Sequence, residues 1–236
     1  MVFRKNQKRK PRRKPKRTVR KLNIPKAMNL GRRVVQFKRS VPSTLTLNNQ
    51  SPPEDWTAIG TSALKTAGLV VNYSFALTEL TDYTDFTNLF DSYRIKAIRM
   101  QGYFSNTQSS TDSNSNLMLY YMQSDFGNQN VSSLTEQFFL NRPTAKKKIL
   151  LNARGGKVFD IYQPVKQLSN LYASTTNTDY ALVQPKFIST AEVATPHYGM
   201  YMRLQRVDGT EFSTSTTTYP TLKIIYTYYL QMRGVA

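Results

Sequence analysis

Seventeen lysines and arginines fall between Arg4 and Arg39, and the first carboxylate does not appear until Glu54. Lys8, Arg9, Lys10, Arg12, Arg13, Lys14, Lys16 and Arg17 form a block broken only by Pro11 and Pro15, with Arg4 and Lys5 ahead of it and Arg20 and Lys21 behind. The chemistry of such a run is charge neutralisation: each cation set against a phosphate releases a condensed counterion, whatever the base sequence. A like-charge block repels itself and offers too little apolar surface to fold, so residues 1–40 are expected to be a disordered nucleic-acid-binding arm. Lys8 to Arg17 also has the composition of a nuclear import signal. A second basic run, Lys146, Lys147 and Lys148, opens an expected strand. It fits either a guard on an exposed sheet edge or an addition to the nucleic-acid surface.

Catalytic chemistry has little to work with. Cysteine is absent, which excludes disulfides, thiolate metal sites and cysteine nucleophiles. The single histidine, His197, stands at the mouth of an expected strand, where a surface or packing role is the ordinary one. Asp82, Asp85 and Asp91 are spaced to suit the start of a short helix and lack the glycine and terminal glutamate of a helix-loop-helix calcium site. Arg154-Gly155-Gly156-Lys157 lacks the spacing of a phosphate loop and reads as a turn between strands. No enzyme activity, metal or cofactor is expected.

The elements that must carry these residues divide the chain. Over 236 residues the formal net charge is +19, from 33 basic and 14 acidic groups. From Ser40 onward 16 basic residues meet 14 acidic ones, so a nearly neutral body follows a polycation. No apolar run approaches the roughly 20 residues of a membrane span, and the start lacks the apolar stretch of a secretory signal. Residues 41–68 read as a transition closed by Pro52-Pro53, with Trp56 marking where the chain first docks on the body. Residues 69–236 are rich in Tyr, Phe, Thr, Val and Ile, the composition of antiparallel strands. The clearest runs from Tyr219 to Arg233, with Leu222, Ile224, Tyr226, Tyr228, Leu230 and Met232 on one face. Further strands are expected at Tyr198–Gln205, Leu117–Gln123, Leu69–Leu77, Tyr93–Phe104, Lys146–Leu151, Lys157–Tyr162 and Tyr180–Ile188. A bulge near Lys96-Ala97 accounts for a phase shift in Tyr93–Phe104. Eight strands is the number of a jelly roll. Asp82–Asp91 and Ser132–Leu140 read as short helices, the second with Ser133 and Glu136 as a capping box. The tyrosines, alternating with Leu, Ile and Met, suit a core or a subunit interface, with base stacking open to one or two.

Phe90-Asp91-Ser92-Tyr93-Arg94-Ile95-Lys96-Ala97-Ile98-Arg99-Met100 resembles the aromatic-Tyr-Arg-Ile pattern that opens the third strand of capsid proteins of circoviruses and related circular single-stranded DNA viruses. Tyr201-Met202-Arg203-Leu204-Gln205 is similar to the aromatic-Leu-Arg-Leu-Gln strand of that family, and Tyr226-Thr227-Tyr228-Tyr229-Leu230-Gln231 resembles its final strand. The arm mixes Lys and Arg about evenly, where circovirus arms are mostly Arg.

The resemblance implies an all-β single jelly roll of two facing four-stranded sheets. It further implies a homo-oligomeric shell of sixty copies, with arms directed inward onto viral single-stranded DNA. Sixty arms would bring roughly a thousand charges, matched to a very small genome. The virion, with the host nucleus during assembly, is the implied location; no motif specifies a host receptor. Tyr-Arg-Ile also occurs in jelly-roll coats of small RNA viruses and satellites. That alternative stays open, as does a nucleic-acid-binding protein that never assembles.

Overall fold

Alternation of apolar and polar residues builds two antiparallel sheets that close on each other. The computed structural model describes residues 34–60, 66–105, 117–124, 130–150, 156–173, 178–212 and 221–234. The arm cations from Arg4 to Lys21, and Arg154 and Gly155 of the expected turn, lie outside the described residues.

In chain order the strands are β1 (Val35–Thr46), β2 (Thr57–Ile59), β3 (Gly68–Phe75), β4 (Ser92–Ser105), β5 (Leu117–Gln123), β6 (Lys146–Leu150), β7 (Lys157–Pro164), β8 (Gln167–Ala173), β9 (Thr178–Val183), β10 (Ile188–Ser189), β11 (His197–Arg206) and β12 (Thr221–Arg233). One sheet runs β1-β12-β4, with β7 and β10 sharing the far edge of β4. The other runs β2-β3-β11-β5-β6, and β8 with β9 forms a separate hairpin. Setting aside the short β2 and β10, the two layers are β1-β12-β4-β7 and β3-β11-β5-β6, the interleaved order of a jelly roll.

The core lies between them. Ile95, Ile98, Met100, Leu222, Ile224 and Leu230 of the first sheet meet Leu69, Val71, Leu119, Met200, Met202 and Leu204 of the second in one buried cluster. At the β4–β12 seam Tyr229 pairs with Ala97 and Leu230 with Ile95, so Lys96 is the extra residue of a bulge, where the phase shift placed it. Farther along, Gly102 leaves room for the Phe159 ring: a Cβ there would stand 2.1 Å from it.

Three expectations change. The body includes β1 from Val35, ahead of the expected start at Leu69: β1 pairs with β12 along its whole length, from Val35↔Met232 to Thr46↔Thr221. The strand therefore spans the expected boundary at residue 40, and Trp56 is not the first docking point. Pro42 fits because β1 is an edge strand, where a missing N–H costs no ladder bond. Tyr180–Ile188 is not one strand of the roll; it divides between β9 of the separate hairpin and the two-residue β10. The helices are α1 (Tyr83–Leu89) and α2 (Glu136–Leu140). Thr135, not Ser133, caps α2, accepting from the Phe138 N–H at 3.3 Å. Asp82 is the N-cap residue of α1 but makes no side-chain cap bond; its carboxylate takes the Arg39 Nε–H at 2.5 Å.

Candidate nucleic-acid interface

Residues that alternate away from the core on β1, β12, β4 and β7 form the outer face of the first sheet. Register places Lys38 beside Tyr229, Tyr229 beside Ala97, and Ala97 beside Pro164. One step along, Ser40, Thr227, Arg99 and Tyr162 form a row, and Lys223 lies beside Tyr103. Arg233 and Arg94 stand at one end of the same face, and Lys157 at the other. Against these cations the face carries one carboxylate, Asp160, among the described residues.

Asp160 is already neutralised. Arg99 donates to both of its oxygens, from Nε at 2.7 Å and Nη2 at 2.6 Å, and Lys157 Nζ adds a bond of 2.7 Å. The Arg99 hydrogen bonds, then that of Lys157, hold the Asp160 carboxyl far below the usual carboxylate range. With Asp160 paired to Arg99 and Lys157, the remaining cations leave the face with a positive excess.

Aromatic rings lie between the charges. Tyr162, 52% exposed, meets Tyr229 edge to face with centroids 5.4 Å apart, and Lys38 Nζ sits 5.1 Å from the Tyr229 centroid. Arg94 stacks on Phe187 at 4.6 Å, with Arg233 at 5.4 Å from the same ring. Flat rings interleaved with cations can take phosphates and base faces together.

Lys146, Lys147 and Lys148 do not join this face. They lie on β6, the free edge of the other sheet. Pairing of Lys148 with Leu119, Lys147 with Tyr120 and Lys146 with Tyr121 sends successive lysines to opposite sides. Lys146 Nζ rests 6.0 Å from the Tyr121 centroid.

The motif strand β11 has another task. Arg203 is fully buried beneath α2. Its guanidinium donates to Gln205 Oε1 at 2.6 Å, the Leu134 carbonyl at 3.2 Å, and the Thr66 carbonyl and hydroxyl at 2.6 and 3.1 Å. Tyr120 and Thr66 hydroxyls donate to Glu136 at 2.6 and 2.9 Å. Burial lowers Arg203 to about 10 against the upward pull of Glu136. Burial also pushes the Glu136 pKa up, but the bonds from Tyr120, Gln205 and Thr66 and the Arg203 charge bring it net below its ordinary value. Gly68 gives this fork its space, since a Cβ there would come within 3.1 Å of the guanidinium. His197 is also fully buried, with Nε2 2.9 Å from the Gln167 amide and Nδ1 3.1 Å from the Thr195 carbonyl. Burial pushes it down to about 4, so it is a neutral packing residue.

A jelly roll with a cationic leader and a basic, aromatic sheet face is the build of a small viral coat subunit. The model of the circovirus capsid protein family matches residues 4–236, and the chain belongs to that family. It is a structural protein of the virion and not an enzyme. The crystal structure of a 60-mer of the BFDV capsid protein is similar at a TM-score of 0.56 and 17% identity, covering 87% of this chain and 96% of that one. A decameric BFDV capsid protein gives 0.49 and 18%, with 85% and 99% covered. A mud crab tombus-like virus structure gives 0.41 and 10%, with 87% and 90% covered. No curated protein matches in sequence.

Proposed function

We propose that this chain builds a sixty-copy icosahedral shell and packages a single-stranded DNA genome by neutralising its phosphates. The binding groups are Arg4, Lys5, the Lys8–Arg17 block, Arg20 and Lys21, continued by the outer face of the β1-β12-β4-β7 sheet. One observation supports this above others: the arm joins the body at β1, and the sheet that β1 edges carries cations and tyrosines against a single, already paired carboxylate. The polycation thus leads directly onto a basic surface. Lys8–Arg17 also serves as a nuclear import signal in this reading.

Salt titration of single-stranded oligonucleotide binding tests the mechanism. Each neutralised phosphate contributes about −0.7 to the slope of log K against log salt, so ten contacts give roughly −7. Replacing Lys8–Arg17 by Gly/Ser removes eight charges and flattens the slope, with affinity nearly independent of base sequence. A shallow slope in the intact chain, or strong sequence discrimination, would contradict neutralisation. Loss of binding on replacing Lys146, Lys147 and Lys148 alone would move the site to the β6 edge. Nuclease typing of nucleic acid from purified particles separates DNA from RNA.

A further inference from the structure

On the open side of the sandwich, between edge strand β1, the 51–56 loop, β3 and β12, lies a cavity of about 520 Å³. Its character is opposite to that of the basic sheet face. Trp56, Tyr226 and Tyr228 line it together with the carboxylates of Glu54, Asp55 and Glu79, and among the described residues no Lys, Arg or His lines it. The phenols are committed to one another and to Glu79: Tyr226 donates to the Tyr73 hydroxyl at 2.9 Å, and Tyr228 donates to Glu79 Oε2. Partial burial raises the Glu79 pKa and the Asp55 charge adds to the rise, while the Tyr228 and Ala76 hydrogen bonds oppose it. The three carboxylates thus share one cavity with no basic residue among its described lining.

We infer that this cavity binds a lysine or arginine side chain of the chain's own basic arm, residues 4–21. Aromatic faces beside carboxylates suit an alkylammonium or guanidinium group, which gains both the ring quadrupole and the ion pair. Charge complementarity identifies the source, since seventeen cations precede the first acidic residue. Reach allows it. The cavity runs along Val41–Thr46, roughly 20 to 35 Å along β1 from Val35, and the residues between Arg17 and Val35 span up to roughly 60 Å when extended. In the unassembled subunit the arm is thus held against the body. This holds whether or not the arm also carries the genome.

Trp56 is the sole tryptophan and reports on the cavity directly. The test uses the full chain, free of nucleic acid, with the lysines and arginines of residues 4–21 replaced by Gly/Ser, excited selectively at tryptophan. A peptide of residues 4–21 should change Trp56 emission saturably. Glu54→Gln with Asp55→Asn should weaken it about tenfold without changing the melting temperature. Asn tolerates the positive φ of 67° at position 55, and Glu54 is exposed, so the body folds. Without added peptide, the unsubstituted chain should show the bound-like emission. The absence of a saturable response overturns the inference, as does a response unchanged by the two substitutions. Spermidine in place of the peptide separates the sources: saturation by spermidine with none by peptide would overturn the arm as occupant.

Discussion

Replacing Arg203 by Met removes the only charge that the β11 motif buries. The structure fixes what is lost: four hydrogen bonds from the guanidinium, two of them to the main-chain carbonyls of Thr66 and Leu134. Glu136 keeps its Tyr120 and Thr66 donors but loses its nearby positive charge. Removing one partner of a buried ionic network costs about 3–5 kcal/mol, because the remaining polar groups stay desolvated. For a body of this size that is a fall of about 10 °C in melting temperature. Near-UV circular dichroism of the unassembled subunit measures it. Adding Glu136→Gln should recover part of the loss, since the stranded carboxylate is then neutral, giving non-additivity of about 1 kcal/mol or more. Arg203→Lys, which keeps charge without the fork, should fall between. A loss under 1 kcal/mol for Arg203→Met would show that the network does not hold α2 to the sheet.

The remaining predictions concern pH, the sheet face and packing. Folding depresses His197 to about 4, so its contribution is complete above the unfolded value of about 6.5 and is lost as pH falls through that window to about 4. The loss is about 3 kcal/mol, read as the pH dependence of denaturant midpoints, and His197→Asn should remove that step from the profile. Replacing Tyr162 and Tyr229 with Ser should weaken oligonucleotide binding by roughly tenfold or more, since each stacked base contributes about 1–3 kcal/mol, and filter binding measures this. Unchanged affinity would remove those rings from the interface. Gly102→Ala should cost about 1–3 kcal/mol by driving a methyl group into the Phe159 ring, and Phe159→Leu in the same chain should recover part of it in thermal melts.

Much of the roll is legible in sequence because one-sided burial enforces a period of two. The alternation of Leu222, Ile224, Tyr226, Tyr228, Leu230 and Met232 marks β12, and the slip between Ile95 and Ile98 marks the Lys96 bulge. β1 escapes notice because Gln36, Lys38 and Ser40 continue the polar character of the arm, and Pro42 interrupts the run. Its inward phase of Val35, Phe37, Val41 and Leu45 shows only against β12. Arg203 looks like a solvent-facing alternate, and only the cover formed by Leu134 and α2 makes it interior. The basic face has no local motif at all. Lys38, Arg99, Tyr162, Lys223 and Tyr229 come from four strands far apart in sequence, and lateral pairing alone brings them together. The one signal available was the outward phase of β12, where Lys223, Thr227, Gln231 and Arg233 fall together.

Particle mass tests the account most directly. Sixty copies of 27.1 kDa give about 1.6 MDa of protein, with nuclease-protected nucleic acid in addition. Sedimentation velocity with light scattering on the purified full-length chain should show one closed species at that protein mass, with absorbance at 260 nm that persists through nuclease treatment. A chain that binds nucleic acid while remaining a monomer or dimer at high concentration would contradict it.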